Sequence, residues 1–326
     1  MDDRMLHEYR RDPDPEFARN LRERLSRQEG PRPFPGQSVT RVLAFAALGV
    51  ALVALFAIPS VRVSAQALLD LFRVRRFAAV QFSESRLEAL RSLQSEKDRG
   101  LLVLDRKEEV LDPGPARLVP SRAAASPEVG FSVSGPGYLP EGMTADSVLV
   151  EGAGAVRLSI SEAKLRALLD RLDLRDVTVP TGLDGRWIEV RKPPIVIQKF
   201  HSPRRRAVLV QARSPEVSVP TGWDVERLAE IGLRVLGLDS GEARRIARST
   251  DWRSTLLVPV PMNASTFRQV TVHGQQGLMI TTTAESSADG HRREGVVLMW
   301  TEGERVFCLQ GNISTKEIMQ MAESLS

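Results

Sequence analysis

Side chains able to carry chemistry are few and widely spaced in this sequence. The four histidines are His7, His201, His273 and His291, and no two of them have the spacing of helical metal ligands. The sequence contains no G-x-S-x-G nucleophile motif, no phosphate-binding glycine loop and no dinucleotide fingerprint. We therefore predict no catalytic residue, no cofactor and no metal, and we expect the histidines to lie in solvated loops.

Two other groups of reactive or charged side chains have an ordinary structural interpretation. Cys308 is the one cysteine, so neither an intramolecular disulfide nor a cysteine-based zinc site is possible. It lies in the apolar segment 305–309, and we interpret it as a small core residue. The arginine triplet 204–206 follows a proline between two predicted strands. A solvated turn is the favoured interpretation there, with an anion-binding patch as the alternative.

Composition limits the class of partner. The chain has 326 residues and a formal net charge of +4, because its 45 Lys and Arg, nearly all Arg, slightly outnumber its 41 acids. Nucleic-acid binding would favour clustered Lys and Arg on one element, with aromatic side chains for stacking on single strands. Neither pattern is present, so we predict no nucleic-acid partner.

One segment has the composition of a membrane span. Residues 42–58 read VLAFAALGVALVALFAI, seventeen residues without a charged or strongly polar side chain. At about 1.5 Å per residue the run covers about 25 Å, the short end of the range for a spanning helix. The alternatives are a buried core helix and a signal peptide cleaved near residues 63–65. The polar region before the run is longer than a normal signal-peptide start, so we predict an uncleaved transmembrane helix over 42–61.

Charges flanking the run give its expected orientation. Arginines before and after the segment differ only slightly in number, which gives a weak positive-inside bias. A long C-terminal part can cross the membrane regardless of its charge. We therefore expect a single-pass protein of the cytoplasmic (inner) membrane, with residues 1–41 in the cytoplasm and the C-terminal domain outside it.

Two segments next to this span suggest partners. In the tail, Phe17, Leu21 and Leu25 recur every four residues on a highly charged stretch, which predicts a short amphipathic helix that binds a protein partner or lies on the membrane surface. The region 62–122 is predicted to hold a juxtamembrane helix at 65–79 and a linker. Within that helix Arg73, Arg75 and Arg76 are candidates for contact with lipid headgroups, and a helix that simply enters the domain is the alternative.

From residue 123 to residue 326 the pattern becomes strand-rich. Short apolar runs separated by turn residues predict strands near 148–150, 156–160, 187–190, 195–200, 207–211, 270–272, 278–283, 296–300 and 305–309. Helices are predicted after the caps Ser161, Asp224 and Ser240, and after the capping-box pair Ser314 and Glu317. The predicted fold class is α+β, with a tail helix, one transmembrane helix and a mainly antiparallel β-sheet extracytoplasmic domain with several packed helices.

Three motifs resemble a known family. Residues 131–142 read FSVSGPGYLPEG, residues 296–311 form a Trp-containing strand, a hairpin and a second strand, and a helix follows at 314–325. With the segment 71–77, these motifs resemble a bacterial domain of unknown function from membrane-anchored anti-sigma-factor-like proteins. The resemblance implies an extracytoplasmic sensor or regulatory domain, loosely related to lipoprotein-carrier-like sheets. It supplies no catalytic residues, and the tail lacks the His-Cys-Cys zinc motif of many anti-sigma domains.

Three functional hypotheses follow. The first is a non-enzymatic, membrane-anchored sensor or regulator of the cell envelope, with a sigma factor as a possible cytoplasmic partner and an envelope ligand outside. The second is a lipid- or lipoprotein-binding module, in which a curved sheet encloses an apolar cleft. The third is an enzyme of unrecognised type, which would need a deep site holding a carboxylate pair or a strongly perturbed histidine.

Overall fold

The structure is a computed structural model, and it describes residues 74–83, 85–86, 88–90, 103–261, 265–285 and 292–326. All of these residues belong to one compact unit, Leu48–Ser326. The predicted tail helix with Phe17, Leu21 and Leu25, and the apolar segment 42–61, lie outside the described residues.

Strands dominate the part of the chain that the structure describes. The fourteen strands β1 to β14 are, in chain order, Arg76–Phe82, Leu104–Leu111, Arg117–Val119, Thr144–Glu151, Gly154–Ile160, Trp187–Lys192, Ile195–His201, Arg206–Arg213, Glu216–Ser218, Thr255–Pro261, Ser265–Val272, Gln275–Glu285, Arg292–Glu302 and Arg305–Gly311. Five helices of eight residues or more, α1 to α5, are Arg122–Val129, Glu162–Arg171, Val225–Val235, Ser240–Ser249 and Thr315–Glu323.

These strands form two antiparallel sheets and one parallel pair. The large sheet has eight strands in the order β11-β12-β13-β14-β8-β7-β4-β3. The small sheet has four strands in the order β2-β5-β6-β9. Strands β1 and β10 pair in parallel and pack against β11, β12 and β13 at one end of the large sheet.

Each strand of the small sheet is joined by a short link to a strand of the large sheet. The links are 112–116 (β2 to β3), 152–153 (β4 to β5), 193–194 (β6 to β7) and 214–215 (β8 to β9). Two strands that are neighbours in the small sheet are linked to two strands that are neighbours in the large sheet. Three of the four links contain proline, which cannot donate a hydrogen bond to a strand ladder. Because the four links are short and adjacent, each linked pair of strands acts as one long strand that passes from the small sheet to the large sheet. We call the line of these four links the bend line.

Close packing along the bend line explains one of its glycines. A Cβ atom on Gly152 would lie 2.7 Å from the carbonyl oxygen of Pro113 in the neighbouring link. Because a contact this short forces one of the two backbones to move, only glycine fits at this position.

Three apolar cores hold the elements together. The first core joins the small sheet to α2, α3, α4 and the β1–β10 pair, and it includes Val80, Ile160, Ile188, Leu228 and Trp252. The second core lies between α5 and the large sheet, and it includes Leu209, Leu298, Trp300, Phe307, Ile318 and Met321. The third core joins α1 to β3, β4 and β7, and it includes Val119, Ala125, Val129, Val150 and Val196.

For the part of the chain that the structure describes, the predicted fold class with its transmembrane helix is wrong. The described part of the chain is mainly β-sheet, and none of its helices is long and apolar enough to cross a membrane. The longest of the five delimited helices, α3, has 11 residues. Such a helix is about 16 Å long, whereas a span needs about 20 apolar residues.

Several predicted elements are confirmed within this β-rich fold. Ser161 and Asp224 cap α2 and α3, and Ser314 with Glu317 forms the predicted capping box of α5. The cap predicted for Ser240 is wrong by one residue, because the side chain of Asp239 accepts the hydrogen bond from the Glu242 N–H.

The predicted juxtamembrane helix at 65–79 is wrong at its end, because residues 76–79 begin strand β1. Its backbone pairs with β10 through the whole length of the strand. Phe77 and Val80 are buried in the first core. Pairing and burial together favour the extended conformation over the helix that the local pattern suggested.

Candidate functional site

The two faces of the large sheet differ in what covers them. Side chains project alternately to opposite faces along each strand. One face, which we call the helix face, carries the second and third cores and is covered by α1, α5 and residues of the segment 130–143. The opposite face, which we call the open face, is covered by the β1–β10 pair at its β12 and β13 end, and Val306 on β14 also packs against the first core.

The open face carries a row of apolar side chains on seven adjacent strands. From β3 to β12, directly paired residues of the row are Leu118, Leu149, Ile197, Val210, Cys308, Met299 and Leu278. Directly paired residues of neighbouring strands have side chains on the same face and in contact distance. At about 4.8 Å between strands, the row is about 29 Å long.

The row is buried at one end and exposed at the other. At the β12 end Leu278 is fully buried in the first core, and Met299 packs against that core. The next four residues toward β3 are half-buried, and Leu118 at the sheet edge is 71% exposed. None of these last five packs in any of the three cores formed by the described residues. We call these five residues, Leu118, Leu149, Ile197, Val210 and Cys308, the apolar strip.

The two long margins of the apolar strip differ in polarity. On one margin the paired residues are Ser147, Lys199, Val208 and Gln310, so this margin is polar except at β8. On the other margin Ile195 widens the strip, and the ion pair between Lys192 and Glu151 closes it at the bend line. The strip thus spans five strands, about 19 Å, and its apolar width along the strands grows from two residues on β7 to three on β8 (Val208, Val210 and Ala212), about 7 to 14 Å.

Cys308 lies within the strip instead of in a core. Its side chain is half-buried, and burial raises the pKa of its thiol to about 12. A thiol with such a pKa stays neutral at ordinary pH and is a poor nucleophile. It contributes apolar surface to the strip, which agrees with its interpretation as a small apolar residue but not with its placement in a core.

The histidines divide into two kinds. His201 is exposed at the end of β7, with its Nδ1 atom 3.7 Å from a carboxylate oxygen of Asp146. His273 lies in an exposed hairpin loop, as expected, but it is not simply solvated, because its side chain is 30% exposed and is bonded through both ring nitrogens. His7 and His291 lie outside the described residues.

The predicted lipid-contacting arginines are placed only in part. Arg75 and Arg76 are exposed at the start of β1, and both backbone N–H groups donate to the carbonyl oxygen of Ser254, at 2.7 and 3.1 Å. Arg73 lies outside the described residues. Contact of these arginines with lipid headgroups stays a prediction.

The arginine triplet 204–206 lies in the turn between β7 and β8, as predicted, but is not simply solvated. Nη1 of Arg205 lies 2.6 Å from Oε1 of Glu317, and its Nη2 donates to the carbonyl oxygen of Glu141 at 2.7 Å. This arginine therefore ties the turn to the start of α5.

Within the described ranges, no group of three or more His, Cys, Asp and Glu side chains is placed to hold a metal ion.

The comparisons with known proteins concern one end of the chain. Residues 260–325, about a fifth of the sequence, match the model of a family described as a domain of unknown function, DUF4367. The matched segment contains β11 to β14 and α5, and so includes the β12 end of the apolar row and His273. No curated protein and no solved structure shows significant similarity to the chain.

Proposed function

We propose that this protein is a non-enzymatic binding module of the cell envelope whose apolar strip takes one extended apolar chain, such as a lipid acyl chain. The observation that carries the proposal is the in-register row of apolar side chains that runs from a buried end to an exposed sheet edge. The envelope location rests on the resemblance of residues 131–142 and 296–325, and a transmembrane helix is not part of the proposal.

The chemistry of the strip favours an apolar chain over other ligands. Its five side chains offer no hydroxyl, amide or charge, so a ligand with buried polar groups would leave them unpaired. A single hydrocarbon chain needs no hydrogen bonds and gains about 25 cal/mol for each Å² of apolar surface removed from water.

Charged groups at the margins suit a ligand with a polar head. Lys199 lies beside Ile197 on the polar margin, and the Lys192–Glu151 ion pair lies on the other side, at the bend line. An amphiphile would place its chain along the strip and its head at one of these margins. A sensor or regulatory role is the natural use of such a module, because ligand occupancy then reports on the state of the envelope.

An anti-sigma-factor-like role is the second candidate. It is supported by the resemblance described above and by the apolar stripe of Phe17, Leu21 and Leu25 in the sequence. The test is co-purification of the full chain with its cellular partners, compared with a Leu21→Glu variant. Loss of a sigma factor in the variant supports this role, and the absence of any sigma factor from both preparations contradicts it.

The main proposal is tested by lipid extraction and by binding of a fluorescent fatty acid to the full chain. Val210→Lys places a charge at the centre of the strip, and we expect at least a tenfold weaker Kd, because burial of one valine side chain stabilises by about 1.5 kcal/mol or more. Val110→Lys is the matched control, since Val110 is 50% exposed on β2 in the small sheet. It is expected to bind like the wild type.

Folding of the variants is checked by circular dichroism, and Val210→Thr provides a milder change of nearly the same shape. Weaker binding by both Val210 variants and unchanged binding by Val110→Lys would support the proposal. A protein that carries no lipid and binds the probe equally in all four forms would overturn it.

A further inference from the structure

His273 occupies an unusual position at a hairpin tip. Val272 and Gln275 are the last pair of β11 and β12, so His273 and Gly274 form a two-residue loop. Their φ angles are +48° and +76°, the left-handed values of a type I′ turn. Asn-Gly is the favoured sequence for such a turn, and His is among the few non-glycine residues enriched at positive φ. The turn therefore accepts a histidine, and the role of its side chain follows from its contacts.

Both ring nitrogens of His273 face oxygen atoms. Nδ1 lies 2.8 Å from Oε1 of Glu302, at the end of β13, and Nε2 lies 3.0 Å from the backbone carbonyl oxygen of Glu323, at the end of α5. A carbonyl oxygen only accepts hydrogen bonds. A neutral imidazole has one N–H, so it donates to one acceptor and turns a lone pair toward the other.

The surroundings of Glu302 show that it acts as an acceptor too. Its Oε1 also accepts from Nε1 of Trp300 at 2.9 Å, and its Oε2 lies 3.4 Å from Nη2 of Arg305 on β14. Both carboxylate oxygens thus face donors, which is the setting of an ionised carboxylate. With two acceptor-only partners, His273 makes both of its ring hydrogen bonds only as the imidazolium.

Both carboxylates next to His273 favour the imidazolium. Oε2 of Glu323 lies 3.9 Å from Nε2 and also accepts from the backbone N–H of His273 at 3.4 Å. The bonds to Glu323 and Glu302 raise the pKa of His273 above its usual value of 6.5. Arg305, the one cation in this cluster of described residues, sits behind Glu302. The end of a helix also favours a cation, because its carbonyl groups carry partial negative charge.

We propose that His273 is a proton-dependent latch, which holds the β11–β12 hairpin to the end of α5 and to β13 when protonated and loosens on deprotonation. The sign follows from the raised pKa. The latch contributes its full stabilisation below pH 6.5 and loses it as the pH rises through the raised pKa of His273.

Loosening of this latch reaches beyond the hairpin. Directly after α5, the backbone of residues 324–326 pairs with residues 135–137 through three hydrogen bonds of 2.9 to 3.2 Å. The end of α5 therefore connects the hairpin tip to the segment that covers the helix face. Loss of the proton from His273 weakens the contact between the hairpin tip and the end of α5.

The latch is tested by hydrogen exchange of the full chain at pH 6 and pH 9, corrected for the intrinsic pH dependence of exchange. In the wild type we expect protection of residues 270–276 and 315–326 to fall by about tenfold for each unit by which the pKa of His273 exceeds 6.5. His273→Asn removes the titrating group and keeps a favoured type I′ sequence, so its protection is expected to show no such fall.

His201→Asn is the matched control, because His201 is 54% exposed and its nearest carboxylate oxygen is 3.7 Å away. It is expected to behave like the wild type. A second readout is the ¹⁵N spectrum of the His273 ring, which is expected to show two N–H groups at pH 6. A pH response that persists in His273→Asn, an unchanged wild type, or a ring with one N–H at pH 6 would each overturn the latch.

Discussion

Replacing Gln211 by Met is expected to destabilise the protein more than the same change at Gln198. Both side chains are buried, and both amide groups donate to the carbonyl oxygen of Ser134 at 2.7 Å. Only Gln211 also accepts, because its Oε1 atom lies 3.1 Å from the Ser134 N–H. These bonds hold the segment 130–143 on the helix face, where it covers the second core.

The difference between the two variants follows from what each leaves unpaired. In Gln198→Met, the Ser134 carbonyl keeps its bond from Gln211, so we expect a loss of about 1 kcal/mol in the free energy of unfolding. In Gln211→Met, two hydrogen bonds disappear and the Ser134 N–H has no acceptor, so we expect a loss of about 2–3 kcal/mol. Methionine has a similar length and flexibility, which keeps the change in packing small.

The assay is equilibrium unfolding of the full chain in urea, read as the shift in midpoint at constant slope. Hydrogen exchange at the Ser134 amide gives an independent signal, which is expected to rise in Gln211→Met and to stay low in Gln198→Met. Equal losses, or a larger loss in Gln198→Met, would refute the assignment of Gln211 as the group that both donates and accepts.

Two further predictions concern α5 and the apolar strip. Ser314→Ala removes the N-cap of α5 and is expected to cost about 1 kcal/mol of unfolding free energy at pH 7. The Ser314 N–H and hydroxyl also lower the pKa of Glu317, so its contribution is present above pH 4.5 and is lost as the pH falls through the lowered value. The difference between wild type and Ser314→Ala is therefore expected to shrink on acidification, and a constant difference from pH 7 to pH 3 would contradict this. Cys308, with a pKa of about 12 against the usual 9.0, is expected to react with a maleimide about a thousandfold more slowly than an ordinary thiol at pH 7. Labelling followed by mass spectrometry measures the rate, and a rate equal to that of a free thiol would contradict the raised pKa of this thiol.

Local signals predicted local structure well. The caps at Ser161, Asp224 and Ser314 follow from side chains that bond to backbone N–H groups two or three residues away, and such bonds depend on adjacent sequence alone. The helix predicted at 65–79 is wrong at its end for the opposite reason. Its strand conformation at residues 76–79 depends on pairing with β10, which lies far away in the sequence.

The candidate site was beyond the reach of sequence reasoning because its residues come from separate strands. Only the register of β3, β4, β7, β8 and β14 brings the strip together. A signal did exist. The runs 195–197 and 207–210 are apolar at every position, whereas a strand with one solvated face alternates. Such runs indicate strands with two apolar faces, and the helix face can account for only one of them.

The His273 cluster was missed for a similar reason, since its partners lie 29 and 50 residues away in the sequence. The available signal was the His-Gly pair between two apolar runs. Such a pair predicts the type I′ turn, since His tolerates positive φ, but it does not predict the contacts of the ring.

The bend line has a consequence for the register of the strands. A one-residue slip in a strand normally reverses the faces of that strand within one sheet. Here each of four strands runs on into a second sheet, so the same slip would expose apolar side chains in both sheets and misplace the prolines of the links. A register slip therefore destabilises both sheets at once, so the register of each sheet helps to fix the register of the other.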